Sequence, residues 1–198
     1  MSQLTLTSDP LGSATTGTFE FENPAFYMTG ATSQRGVVLA DQFILLQATN
    51  TLTSQTAAQA LFDVTGSGQV TLVAGTYEFE CVFSLSSMSS SSGSFGFALG
   101  GGATFSQYWW ATANKATLAT AASGQVTYNT AANTAIATAT TGTVAFARCG
   151  GVIIVTVGGT IIPQVSLGVA AAAVVGVGSY FKIRALGGAA VTSSGNWS

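Results

Sequence analysis

The stretch Gly75-Thr76-Tyr77-Glu78-Phe79-Glu80-Cys81-Val82-Phe83-Ser84-Leu85 decides how this chain folds. Successive side chains on a β-strand point to opposite faces, so Tyr77, Phe79, Cys81, Phe83 and Leu85 share one face while Glu78, Glu80, Val82 and Ser84 share the other. The first set belongs in a dry core. The second carries two carboxylates to a place that needs a reason, because only 6% of the 198 residues are charged.

Working outward, the same period of two recurs in Ser179-Tyr180-Phe181-Lys182-Ile183-Arg184-Ala185-Leu186, with Phe181 and Ile183 on one face and Tyr180, Lys182 and Arg184 on the other. Before it, residues 144–157 (VAFARCGGVIIVTV) read as a long strand, Gly158-Gly159 as a hairpin turn, and residues 160–167 as that strand's hairpin partner. Upstream, residues 18–29 (TFEFENPAFYMT) alternate and break at Asn23-Pro24, a hairpin with Phe19 and Phe21 opposite in parity to Glu20 and Glu22. Residues 30–36 read as a loop, and 37–47 as a buried strand centred on 43–46. Residues 53–62 (TSQTAAQALF) are the one stretch of helical character, with Thr53 or Ser54 as cap and Ala57, Ala58, Leu61 and Phe62 at helical spacing. The Ser-rich residues 86–94 form a loop before the strand at 95–99, and weak β signals follow at 126–128 and 135–140. About ten short strands with Gly-rich turns predict an all-β sandwich or barrel.

Composition narrows the function. Five Lys and Arg stand against seven Asp and Glu, without the clustered positive charge that tracking phosphates requires, so nucleic acid is not an expected partner. The apolar run at 169–177 is far short of the ~20 residues of a membrane span, and the N-terminus has neither the basic nor the apolar region of a secretory signal. With 47% hydrophobic residues and so little charge, much apolar surface is expected to be buried between subunits. Two cysteines, Cys81 and Cys149, make neither a disulfide framework nor a four-ligand metal site, and Cys81 has core parity, which predicts a buried free thiol.

No histidine is present, which removes the usual serine and cysteine triads and the commonest metal ligand. Glu78 with Glu80, and Glu20 with Glu22, lie two residues apart on strands, about 6.6 Å by strand rise and close to the separation of a glycosidase pair. Such pairs are common by chance, and nothing in the sequence supports them as catalytic. No catalytic residue, cofactor or metal is therefore assigned. Tyr108-Trp109-Trp110 is the largest aromatic cluster, with the composition of a sugar-binding platform or of a core. Asn196-Trp197-Ser198 matches a glycosylation sequon that has no meaning without secretion.

Three pieces in order resemble the trimeric jelly roll of the tumour necrosis factor and complement globular-head families. They are Gly75-Thr-Tyr-Glu-Phe, Gly150-Gly-Val-Ile-Ile-Val-Thr-Val-Gly-Gly-Thr-Ile-Ile and the closing strand at 179–186. A second resemblance, carried by Thr51-Leu-Thr-Ser-Gln-Thr-Ala-Ala-Gln, Ala74-Gly-Thr-Tyr-Glu-Phe-Glu-Cys, Ser94-Phe-Gly-Phe-Ala-Leu-Gly-Gly and Ile162-Pro-Gln-Val-Ser-Leu-Gly-Val-Ala, is to a domain of tailed-bacteriophage virion proteins. The first implies an all-β jelly-roll sandwich (tumour necrosis factor-like), trimeric, with Glu78, Glu80, Arg148, Tyr180, Lys182 and Arg184 at the trimer interface. Val144 and Phe146 share a face with Arg148, so an outward Arg148 requires a bulge or exposed apolar residues beside it.

Together the resemblances imply three parts: residues 1–45 as N-terminal arm and hairpin for attachment, 46–188 as jelly-roll domain, 189–198 as tail. They imply a non-enzymatic capsid decoration or cement protein on the virion surface, made in the host cytoplasm. Its partners would be itself, as a homotrimer, and the major capsid protein or another virion protein, with no membrane involved. The alternative is a tail-fibre tip or receptor-binding module, with Tyr108, Trp109 and Trp110 contacting a host surface glycan.

Overall fold

The computed structural model of the chain describes residues 19–22, 25–29, 35–38, 41–62, 68–90, 93–115, 125–129, 134–136 and 142–188, with side chains at 41–62, 68–90, 93–106 and 142–188. The described residues form strands and turns without a helix. First come β1 (Phe19–Glu22), β2 (Ala25–Thr29) and β3 (Arg35–Val38), an antiparallel sheet of their own. Next are β4 (Asp41–Leu45), β5 (Asn50–Thr51), β6 (Gln59–Ala60), β7 (Val70–Leu72) and β8 (Gly75–Ser86). β9 (Phe95–Gly100), β10 (Thr104–Lys115), β11 (Gln125–Asn129) and β12 (Thr134–Ile136) lead into β13 (Ala145–Val157). β14 (Gly159–Leu167), β15 (Val174–Val175) and β16 (Tyr180–Gly187) complete the fold.

β4 to β16 make a β-sandwich of two antiparallel sheets. The larger runs β11-β10-β13-β8; the far edge of β8 then pairs with β16 and β15, which carry β4 and β5. The smaller runs β12-β9-β14, with β6 and β7 also paired to β14. The alternation of the opening stretch sets the layers: Tyr77, Phe79, Cys81, Phe83 and Leu85 are each at most 5% exposed, and Glu78, Glu80, Val82 and Ser84 point away from the core. Phe83 meets Phe95 edge-on at 5.6 Å and stacks on Phe97 at 6.0 Å, while Phe79 packs between Phe97 of the facing sheet and Phe181 of its neighbour β16. Burying each such ring contributes roughly 1.5–3 kcal/mol, and together they hold the sheets face to face.

Cys81 and Cys149 are direct cross-strand partners, both fully buried and both free thiols. Ser84 turns its carbonyl to the Gly176 N–H and its own N–H to Ser179 Oγ, on the β15–β16 side. Alternate residues therefore turn theirs to β13, which makes Cys81 and Cys149 a hydrogen-bonded pair, the wider of the two antiparallel spacings. At that spacing the two Cβ atoms stand farther apart than the ~3.8 Å of a disulfide.

Four expectations are corrected. Residues 53–62 are not helical: 53–58 are exposed, β6 pairs with β14, and the Leu61 N–H donates to the Pro163 carbonyl at 2.9 Å, with Leu61 and Phe62 buried. A helix this short does not repay its nucleation cost, and docking on β14 satisfies the backbone instead. Gly158-Gly159 is not a hairpin turn either, because among the described residues β13 pairs with β8 and β10 and β14 with β6, β7 and β9, so the chain there crosses between sheets. The loop at 30–36 ends early, since β3 begins at Arg35 and pairs with β2. The strand at 37–47 is not buried throughout: β4 lies at the sheet margin on β16, Ile44 points inward, and Phe43 and Leu45 are exposed. β4 thus belongs to the sandwich although it lies within the segment 1–45. The expected hairpin at 18–29 is present as β1 and β2, with Phe21 opposite Phe26. The N-terminal arm up to Gly17, the tail at 189–198 and its sequon lie outside the described residues.

The β9–β10 turn needs glycine. Gly101 has φ +114°, and a Cβ there would stand 2.2 Å from the Thr160 carbonyl oxygen. The neighbouring Ala103 N–H donates to that oxygen at 3.1 Å and the Gly102 N–H to Thr160 Oγ1 at 2.9 Å, which clamps the β9–β10 turn to β14.

Candidate functional site

The outward face of the larger sheet collects the charges. Register sets Lys182 directly opposite Glu80 and Arg184 directly opposite Glu78, across β16 and β8. On the other edge of β8 the partner of Glu80 is Gly150, which has no side chain, and Arg148 reaches diagonally across that gap. Its Nε donates to Glu80 Oε2 at 2.8 Å, and its terminal nitrogen also pairs with that oxygen. The Tyr180 hydroxyl donates to the other oxygen, Oε1, at 2.6 Å, and Lys182 Nζ lies 3.9 Å from it. Arg184 Nε donates to Glu78 Oε2 at 2.8 Å. Asp41 stands opposite Arg184 on β4. Three of the chain's five bases and three of its seven acids therefore share this face.

Glu80 is the hub. Its side chain is 17% exposed, against 55% for Arg148. Partial burial pushes its carboxyl pKa up, but the hydrogen bonds from Tyr180 and Arg148 and the charges of Arg148 and Lys182 outweigh it, holding the group below its ordinary value. Tyr180 is raised, first by its bond to Glu80 and then by burial and by the Glu80 charge. A carboxyl held ionised in this way is poorly suited to donate a proton to a glycosidic oxygen.

Apolar side chains flank the network. Phe43 is 54% exposed, Leu45 48%, Phe146 49% and Val144 42%. Phe43 stacks on Tyr180 with ring centroids 5.2 Å apart. No register shift interrupts β13 against β8, so Arg148 points outward without a bulge and its apolar neighbours stay exposed.

All six residues predicted to meet at an interface, Glu78, Glu80, Arg148, Tyr180, Lys182 and Arg184, thus lie together on one face of one chain. Phe43, Leu45 and Asp41 were missed as part of this face; the alternation Asp41-Gln-Phe43-Ile-Leu45 was the available signal. Trp109 and Trp110 lie on β10 opposite Gly151 and Gly150, but the side chains of Tyr108, Trp109 and Trp110, and with them the glycan platform, are outside the described set. Glu20 and Glu22 lie on β1, paired through the backbone with Tyr27 and Ala25. Among the described residues no three His, Cys, Asp or Glu gather as a metal site, and no helix is long and apolar enough to cross a membrane.

The fold and this face define an all-β sandwich with a bipolar, apolar-flanked sheet surface. No protein-family model matches the chain, and no curated protein matches it in sequence.

Proposed function

We propose that the chain is a non-enzymatic structural protein of a tailed-bacteriophage virion, a homotrimeric jelly roll that decorates and cements the capsid surface. The observation that carries this reading is the outward face of the larger sheet. Four large apolar side chains between 42% and 54% exposed surround a charge network that is already closed within the chain, a surface suited to association and not to turnover.

The strand orders support the jelly-roll form. β4-β16-β8-β13 faces β14 and β9 with β6 and β7 beside them, and most consecutive strands from β7 onward change sheets. The resemblance of the three motifs to the trimeric jelly rolls supports the threefold state, and the second resemblance supports the virion setting. The attachment segment and the tail join the sandwich at one end. Asp41 pairs with Arg184 and so lies level with Glu78, and Gly188 accepts a 2.7 Å hydrogen bond from the Thr76 hydroxyl. One end is thus free for a shell and the opposite end, with residues 87–90 and 168–173, for the outside.

The partner in this reading is the major capsid protein or another virion protein, engaged through residues 1–36. Deleting those residues is expected to leave soluble trimers that no longer bind particles, scored by co-sedimentation with shells lacking the protein. Truncated chains that still decorate shells refute the assignment.

A further inference from the structure

The larger sheet ends at β4 on an open edge. Among the described residues β4 pairs only with β16. The Leu46 N–H donates to the Ser179 carbonyl and the Leu46 carbonyl accepts from the Gly178 N–H, both at 2.9 Å, so Leu46 turns its two backbone groups toward β16. Successive residues of a strand turn these groups to opposite sides, so Ile44 and Gln42 also serve β16, and those of Phe43 and Leu45 point out of the sheet. The same two residues carry exposed side chains on the outward face. Edge strands are ordinarily blunted by a Lys, a Pro or a bulge. β4 has none of these, and its one charge, Asp41, stands at its start opposite Arg184.

The chain contains a segment of matching character. Residues Gln3-Leu4-Thr5-Leu6-Thr7, outside the described set, alternate polar and apolar, carry no charge, Gly or Pro, and precede the turn signal at Asp9-Pro10. Residues 8–18 then lead to β1 and span up to about 36 Å. The path they must cover is shorter. Phe19 is level with Met28 and Met28 with Gly36, two strand spacings or about 10 Å, and the chain from Gly36 to Asp41 covers at most ~17 Å. The tether therefore reaches the Asp41 end of β4 with length to spare.

We infer that residues 3–7 add to the open edge of β4 in the same chain, antiparallel, with Leu6 opposite Phe43 and Leu4 opposite Leu45. The tether sets the direction: entering at Asp41, the segment runs back from residue 7 to residue 3 beside Leu45. The pleat sets the register. Phe43 and Leu45 turn their N–H and C=O groups out of the sheet, so the residues opposite them form the hydrogen-bonded pairs, and directly opposite side chains share a face. Leu4 and Leu6 thus stand beside the two exposed apolar side chains. A slip of one residue sets Thr5 there instead and turns the leucines to the other face. So short a strand makes few bonds, and its own tether, which holds it at high effective concentration, favours it over a strand from another molecule. The inference does not depend on the virion reading; beside it, residues 8–36 remain for attachment.

The test is backbone amide hydrogen exchange on the full chain, free of shells, read by NMR at Phe43, Ile44 and Leu45. The Ile44 N–H faces β16 and reports that β4 is in place. All three amides are expected to be protected in the native chain. Leu4→Pro with Leu6→Pro removes both donors toward β4 and is expected to speed exchange at Phe43 and Leu45 at least ~10-fold, with Ile44 unchanged. Leu4→Ser with Leu6→Ser keeps the amides, loses the apolar contact and is expected to give a smaller change of the same pattern. Fast exchange at Phe43 and Leu45 in the native chain shows an open edge and overturns the inference. Protection that survives in both variants shows that something else covers the edge, and overturns it as well. Loss at Ile44 together with the other two, in both variants, shows that the segment holds β4 to β16 and does not line its edge. An isotope-labelled proline variant mixed with unlabelled native chain is expected to stay unprotected; recovery assigns the edge to a neighbour's segment and overturns the pairing within one chain.

Discussion

Replacing Glu80 with Gln keeps the shape of the hub and removes its charge. The amide oxygen can still accept the Tyr180 hydroxyl, now 2.6 Å from Oε1, so that bond is weakened and not lost. What disappears is the acid that Arg148 and Lys182 surround. Hydrogen bonds to charged groups contribute about 1.5–3 kcal/mol when covered, whereas exposed pairs contribute about 0.2–1. Glu80 is mostly covered and Arg148 is 55% exposed, so the expected loss at neutral pH is ~1–2 kcal/mol, between the two cases. The loss has a pH signature. The Glu80 carboxyl is held below its ordinary value in the folded chain, so over that range the unfolded chain binds more protons. Its stabilisation is fully present above the ordinary Glu value of ~4.3 and is lost as pH falls through the lower folded value. Urea unfolding of the native and Glu80→Gln chains, at one protein concentration so that any self-association is held constant, reads the gap between midpoints at constant slope. The gap is expected to close as pH falls below ~4. No gap at neutral pH, or one that persists undiminished in acid, refutes the hub.

Gly101→Ala is expected to lower the unfolding free energy by at least ~1 kcal/mol, because the residue has φ +114° and its new Cβ meets the Thr160 carbonyl; a urea midpoint equal to that of the native chain contradicts the clamp. Cys81 and Cys149 are covered, and burial pushes both thiols up, with the neighbouring Cys149 and Glu80 adding to the rise at Cys81. An aromatic disulfide reagent is therefore expected to find no thiol in the folded chain and two after unfolding, the second appearing together with the first; a thiol that reacts under native conditions places that strand elsewhere.

What the sequence disclosed, and what it hid, divides along the range of the interactions. The faces of β8 and β16 were legible because each strand is half buried and writes its own alternation: Phe79, Cys81 and Phe83 against Glu78 and Glu80, Phe181 and Ile183 against Lys182 and Arg184. Pairing was not legible at Gly158-Gly159. Two glycines encode a reversal of the chain, but whether β14 returns beside β13 or crosses to the other sheet depends on whether the edges of β13 are already taken, and they are taken by β8 and β10. Residues 53–62 failed for a related reason, since helical spacing of Ala57, Ala58, Leu61 and Phe62 is a local signal and the hydrogen bond from Leu61 to Pro163 spans the fold. Pro163 can occupy the inner strand β14 because its carbonyl serves Leu61 at the gap between β6 and β7, where no strand asks for the missing N–H.

The outward face is the instructive case. Its acids and bases were grouped by resemblance, and the register now gives a cause within one chain: Lys182 faces Glu80, Arg184 faces Glu78, and Gly150 opens the way for Arg148. Phe146 looked like an obstacle to that arrangement, since it shares the parity of Arg148. No bulge relieves it, so the chain leaves Phe146, Val144, Phe43 and Leu45 in water. Within a single subunit Phe43 gains its stacking on Tyr180, but about half of its surface and of the other three side chains stays in water. In the proposed assembly another surface would cover them, which would account for the sequence pattern at 41–45 and 144–148.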